Sequence, residues 1–389
     1  MKRLFCLFLV SLTLMLCACG GAPAQSDTPD TPITPPVSET PPAPAEPAPS
    51  VPETPAQPET PTVPETPPAP AEPAEPVPVG PTNPLTGLPT EESLVNRKPV
   101  AIMLNNIKVA QPQQGNSQAD IIYEVLAEGG ITRMLGIYHD ISQLGMVGSV
   151  RSARLYYLEL ALGHDAVFVH AGGSPEFYEK AKAWKLNTVD GVNGFYSSAS
   201  TGLFWRDKNR VPGQNYAYEH SLVTSGSKLT SVLTKQGELK DHASGYSTGL
   251  LFTANGTPAG GNSAQTVVVP FSSGKVTAFL YDAAAGTYKV EQHSDIYTDG
   301  NDGTPVTVTN VVALQTECKV VDDEGRLNID LSSGKGWFAC GGKYIPITWE
   351  KGNRNEPLKF FTEDGKPLNL GQGKSYICII PESRQIATK

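Results

Sequence analysis

Long apolar runs are missing from this chain after its first sixteen residues, so no later segment is expected to cross a membrane as a helix, which takes about 20 such residues. Basic charge is short as well. Lysine and arginine number 30 against 39 acidic residues, for a net charge of −9, and no basic run offers the positive surface that nucleic acid requires. Histidine and cysteine are six each. With no Cys-x-x-Cys pair and no histidine cluster, neither a metal nor any other cofactor is expected. The acid-rich residues 295–302 lack the spacing and final glutamate of a calcium-binding EF loop and read as a turn. Beyond the N-terminal region only Cys318, Cys340 and Cys378 remain. At most one disulfide joins two of them, and the choice stays open.

What is present begins with a leader. Lys2 and Arg3 precede an apolar run over residues 4–16, the layout of a secretory signal peptide. The run ends in Leu16-Cys17-Ala18-Cys19-Gly20, which resembles a bacterial lipobox. Residues 1–18 are expected to be removed and Cys19 to carry a diacylglyceryl group, the membrane contact of the mature chain. Residues 19–82 then form a tether of Pro, Ala, Thr, Glu and Val that can build no core. The segment from Glu39 to Ala48 recurs from Glu65 to Ala74, a low-complexity duplication and not a folded repeat. Dense proline favours polyproline II at about 3.1 Å per residue, a reach on the order of 190 Å at most. All the net charge sits in this tether, which has nine acidic residues and no basic ones; past it, 30 acidic residues face 28 basic. The body is close to neutral, and the expected location is the outer face of the cytoplasmic membrane.

The rest is long enough for two domains, and the expected class is α+β. Residues 83–240 read as mixed α/β, 241–262 as a linker and 263–384 as all-β, a small sandwich or barrel. Residues 99–104 suit a buried strand. Residues 119–128 and 131–140 flank Gly129-Gly130, a pair suited to the positive φ of a hairpin. A helix capped by Ser117 and running to Gly129 competes with that reading. In the hairpin, Glu128 is expected to face Ile131, which places Arg133 between Glu124 and Glu128 on one face.

Next come Arg151-Ser152-Ala153-Arg154, a helical stretch to Leu162, a strand over residues 166–170, and Gly172-Gly173-Ser174-Pro175 opening another helix. Ser174 suits the N-cap and Pro175 the first helical position. A strand, a glycine turn and a helix N-terminus leave backbone N–H groups facing outward, a natural place for an anion. Arg151 and Arg154 are three apart, so at a helix start they share a side and suit phosphate or carboxylate. The candidate anion-binding set is Arg133, Arg151, Ser152, Arg154, His170, Gly172, Gly173 and Ser174, with His170 or Glu124 as the candidate base. The competing reading makes the arginines structural partners of Glu124, Glu128 and Glu159, and His170 a satisfied strand-end residue. Residues 204–210 and 218–220 are polar, loop-like and candidates to line the same cleft.

The C-terminal region alternates short strand-like runs with turn signals such as Gly300, Glu324-Gly325, Gly341-Gly342 and Asp364-Gly365. Its aromatics Trp337, Phe338, Tyr344 and Trp349 read as core more readily than as a sugar-stacking surface. Gly245-Tyr246-Ser247-Thr248-Gly249 matches the Gly-x-Ser-x-Gly pattern of α/β hydrolases, but no strand precedes it and a strand-like run follows, the wrong context for a nucleophile elbow.

The stretches Asn83-Pro-Leu-Thr-Gly-Leu88, Ala119-Asp-Ile-Ile-Tyr-Glu124, Glu128-Gly-Gly-Ile-Thr-Arg133, Val150-Arg-Ser-Ala-Arg154 and Phe168-Val-His-Ala-Gly-Gly-Ser174 resemble the YerB-like bacterial surface lipoproteins, as do Asp322-Asp-Glu-Gly-Arg-Leu-Asn-Ile-Asp330 and Gly334-Lys-Gly-Trp-Phe338. The resemblance implies two domains of unknown function and a Gram-positive envelope. Residues 117–122 with the following strand and arginine turn are also similar in layout to the LytR-CpsA-Psr envelope transferases, although the Pro-Arg-Asp turn of that family is absent. The expected function is that of a binding or accessory protein for an anionic envelope ligand or an envelope-synthesis partner. The alternative is an enzyme of phosphate- or pyrophosphate-bearing glycans or lipids.

Overall fold

In the computed structural model the described residues are 80–389. The N-terminal half supplies strands β1 (Val100–Asn105), β2 (Ile121–Leu126), β3 (Thr132–Tyr138), β4 (Val167–His170) and β5 (Val189–Asp190), with helices α1 (Leu155–Gly163), α2 (Pro175–Ala183) and α3 (Gly226–Lys235). Strands dominate the C-terminal half: β6 (Thr266–Pro270), β7 (Val276–Asp282), β8 (Thr287–Gln292), β9 (Asn310–Thr316), β10 (Ser333–Cys340), β11 (Lys343–Lys351) and β12 (Ser375–Pro381) are its main members. The fold is therefore α+β, mixed in its first half and β-rich in its second.

One eleven-stranded sheet crosses both halves in the order β11-β10-β9-β12-β2-β3-β1-β4-β5, extended by Asn262–Ser263 and Leu358–Thr362 against β11. The seam is β12. It pairs in parallel with β9 on one side and β2 on the other, with Ile377 beside both Val312 and Tyr123. A second, six-stranded antiparallel sheet around β6, β7 and β8 covers one face of the large sheet together with α3; α1 and α2 cover the other. Successive residues of β1 go to opposite cores: Ile102 and Leu104 pack with Phe279 and Leu233, while Ala101 and Met103 pack with Tyr157 and Phe177. A sheet covered on both faces has no solvent side, so every residue of β1, β2 and β3 is buried.

The hairpin at Gly129-Gly130 forms, not the competing helix, and both glycines hold positive φ, 67° and 74°. Its register differs from the sequence expectation by one residue. Val125 stands opposite Arg133, and Ala127 N–H donates to Ile131 O. Because strand side chains alternate faces, one step of register moves a residue across the sheet. Glu124 therefore lies on the opposite face from Arg133, and the expected three-charge cluster is divided. Cys318, Cys340 and Cys378 are all free thiols, and Phe338 and Trp349 are core residues.

Candidate anion site at the arginine edge

Strands β1 and β2 both run antiparallel to β3, and β4 and β5 run parallel to β1. Their carboxyl ends thus share one edge of the sheet, the place where α/β folds most often hold ligands. The segment 151–153 is laced along it: Arg151 N–H donates to Met103 O at 3.0 Å, Ala171 N–H to Arg151 O at 3.0 Å, and Ala153 N–H to Gly172 O at 2.9 Å. Helix α1 begins only at Leu155, so Arg154 is its extended N-cap residue and Arg151 lies ahead of the helix, and neither stands on a first helical turn.

Four arginines meet here. Arg133 donates to Ser152 O at 2.9 Å and pairs with Glu128 at 3.4 Å, and the Nε of Arg154 takes the other oxygen of the same carboxylate. Arg151 donates through Nη1 to Glu219 O at 2.7 Å, while its buried Nε has no partner. Arg206 lies 3.8 Å above the ring of Tyr218 and donates to that residue's carbonyl at 2.6 Å. Burial first, and then mutual repulsion, lowers the guanidinium pKa values of Arg133 and Arg151; Arg154 acts on the former, and Arg133, Arg154 and Arg206 on the latter. Burial alone raises the Glu128 carboxyl, but the Arg154 hydrogen bond and the charges of Arg133 and Arg154 outweigh it and hold the group below its ordinary value. Two carboxylates, Glu128 and Glu219, face these four cations.

The glycine turn beside them is filled by the chain itself. Asp190, at the end of β5, accepts from Gly172 N–H and Val192 N–H, both at 2.9 Å, and from the Tyr178 hydroxyl at 2.7 Å. Ser174 caps α2 by accepting from Phe177 N–H at 3.2 Å. Gly172 is there for its φ of 75°, and Gly173 because a Cβ would fall 2.3 Å from the Phe177 ring. The anion expected at this turn is an internal aspartate.

His170 is wholly buried between Gly172 O, 2.8 Å from Nδ1, and Thr188 Oγ1, 3.0 Å from Nε2, and is stacked on Phe168. Burial lowers its pKa against the pull of Asp190. It is a packed, neutral strand-end residue and no solvent-facing base. Glu124 is equally enclosed, on the other face, with Lys275 at 3.1 Å, Asn106 and Thr277 at 2.8 Å, Tyr376 at 2.7 Å and Thr132 at 2.6 Å. Those partners come from both halves of the chain, so Glu124 fastens the two sheets together.

The structure thus brings together Arg133, Arg151, Ser152 and Arg154 and adds Arg206, Tyr218 and Glu219 from the polar loops; Gly172, Gly173 and Ser174 stand alongside with Asp190 in their turn. Arg210 lies apart, stacked on Tyr216 and donating to the carbonyls of Ala110, Pro112 and His220. Asp190 was not foreseen, since nothing local ties residue 190 to residue 172. The Gly-x-Ser-x-Gly segment is a loop, exposed at Gly245, Ser247 and Gly249 and buried at Thr248, ahead of the short strand Leu251–Thr253, and Asp299 caps a loop by accepting from Gly115 N–H and Ser117 N–H. Among the described residues no group of three or more His, Cys, Asp or Glu side chains is placed to hold a metal ion, and no helix is long and apolar enough to cross a membrane. Cys19 and its tether as far as residue 79 lie outside the described residues.

Residues 85–238 match the family described as Protein of unknown function (DUF3048) N-terminal domain, and residues 267–377 match the corresponding C-terminal domain. The chain is 37% identical over 305 residues to the Bacillus subtilis (strain 168) protein named "Putative lipoprotein YerB", covering 77% of this chain and 86% of that protein. The crystal structure of the YerB protein from Bacillus subtilis aligns with a TM-score of 0.65 at 32% identity, over 79% of this chain and 99% of that one. With both of its domains present, the chain belongs to the DUF3048 family and is a YerB-like protein.

Proposed function

We propose that this chain is an envelope lipoprotein, held to the outer face of the membrane through lipidated Cys19, whose folded body recognises an anionic envelope ligand at the arginine edge. The name of the Bacillus relative supports the anchor. The observation that carries the ligand class is the charge imbalance: four guanidinium groups against two carboxylates, with one buried Nε unpartnered. Planar guanidinium forks suit phosphate oxygens, and exchanging an internal partner for a phosphate strengthens the set. Binding is favoured over catalysis because both candidate bases, His170 and Glu124, are wholly enclosed. An envelope-synthesis protein presenting the same phosphate or carboxylate chemistry is the companion reading.

The test is calorimetric titration of the full chain in detergent with pyrophosphate and with phosphorylated envelope precursors, beside an Arg151→Ala, Arg154→Ala double variant. Saturable binding that weakens with salt and vanishes in a double variant of unchanged unfolding midpoint is the expected result. Absence of binding by the unaltered chain removes the small-ligand reading and turns the search to protein partners by surface crosslinking.

A further inference from the structure

A groove of about 880 Å³ lies away from the arginine edge, with the Gly245–Gly249 turn as one wall. That volume is in the range of small-ligand sites. His242 lines it and is fixed on three sides: its N–H donates to Asn96 O at 2.8 Å, its Nδ1 lies 2.9 Å from the Asp165 carboxylate, and its ring stacks on Tyr246 with centroids 3.9 Å apart. Asp165 is held in turn by Lys98 at 2.6 Å, and Tyr246 by its hydroxyl on Gly163 O at 3.0 Å. In the neutral imidazole a carboxylate on Nδ1 fixes the tautomer, because Nδ1 then carries the proton. Nε2 is then an acceptor, and it has no partner among the described residues.

The remaining lining defines what would meet that acceptor. The side chains of Asn96, Ser244 and Gln372 line the groove without hydrogen-bond partners among the described residues, and Phe252 adds an aromatic surface. No lysine or arginine lines it, and its carboxylate, Asp241, is paired with Arg97 at 3.5 Å. Such a site has nothing to neutralise a phosphate. Uncommitted amides, a hydroxyl and an imidazole acceptor beside an aromatic face match a ligand of many neutral hydroxyls. We propose that this groove is a second ligand site, for a neutral saccharide, in which His242 Nε2 accepts a hydrogen bond from a sugar hydroxyl. The site is independent of the arginine edge and stands or falls without it.

The experiment titrates the full chain in detergent with chitopentaose, cellopentaose and maltopentaose, followed by saturation-transfer NMR and calorimetry. Saturable binding of at least one is expected. His242→Ala should weaken it about tenfold, the size of one lost hydrogen bond to the ligand, and Ser244→Trp should abolish it by filling the groove from an exposed position that leaves the core untouched. Arg151→Ala should leave it unchanged. If no saccharide of the panel binds, or if Ser244→Trp binds as the unaltered chain does, the proposal is wrong, whatever His242→Ala does to folding.

Discussion

His164 is wholly enclosed, with Nε2 at 2.7 Å from the Tyr123 hydroxyl and Nδ1 without a partner. Burial, reinforced by the charge of Lys351, pushes its pKa down to about 4, below the ordinary histidine value of about 6.5. The unfolded chain therefore binds this proton more readily than the folded one, and stability is lost as pH falls from about 6.5 to about 4, by roughly 3 kcal/mol for such a shift. Denaturant unfolding across that range, with His164→Gln as control, checks the assignment: the variant should show a flatter slope, and an identical slope would mean that other groups set the acid limit. His139 and His170 are lowered for the same reason and act in the same direction. At this scale the sequence was informative where identity alone sufficed. Arg133, Arg151 and Arg154 stood out by type, and they do meet, although neither on a helix start nor in the expected register. His170 stands as the satisfied strand-end residue of the competing reading, whereas the enclosure of Glu124 was not legible, because a side chain's exposure depends on what covers it, and its cover, Lys275, comes from another element.

Among elements, β12 decides whether the halves behave as one body. Placed between β9 and β2 and buried along six of its seven residues, it makes each half incomplete without the other. Ile377→Ala should cost about 2–5 kcal/mol and shift the unfolding of both halves together. Two tryptophans in each half, Trp184 and Trp205 against Trp337 and Trp349, allow the check by fluorescence with one pair replaced by phenylalanine at a time. Coincident transitions are expected; a first half that melts unmoved by Ile377→Ala would mean the seam carries no coupling. Elements marked by local chemistry were legible: the Gly129-Gly130 hairpin, the Ser174-Pro175 helix start and the strand cadence after residue 265. Register and neighbour were not. Val125 or Leu126 against Arg133 is a choice set by the packing of two cores, and the union of residues 121–126 with 375–381 leaves no local trace in strands apolar on both faces.

For the whole molecule, the proposed anchor makes a prediction of its own. Cys19→Ser should abolish incorporation of radiolabelled palmitate and release the chain from the membrane fraction, since the body offers no spanning helix among its described residues. A variant that remains membrane-bound without label would point to a different attachment. The order of the large sheet also bears on synthesis. Its central strand, residues 375–381, arrives after every other strand of that sheet. Any N-to-C emergence therefore leaves β2 with an open edge until residue 379 is out, and an open edge recruits foreign strands. A nascent chain that has not yet passed residue 375 has a body with its central place vacant, so both halves must be made before the sheet can close.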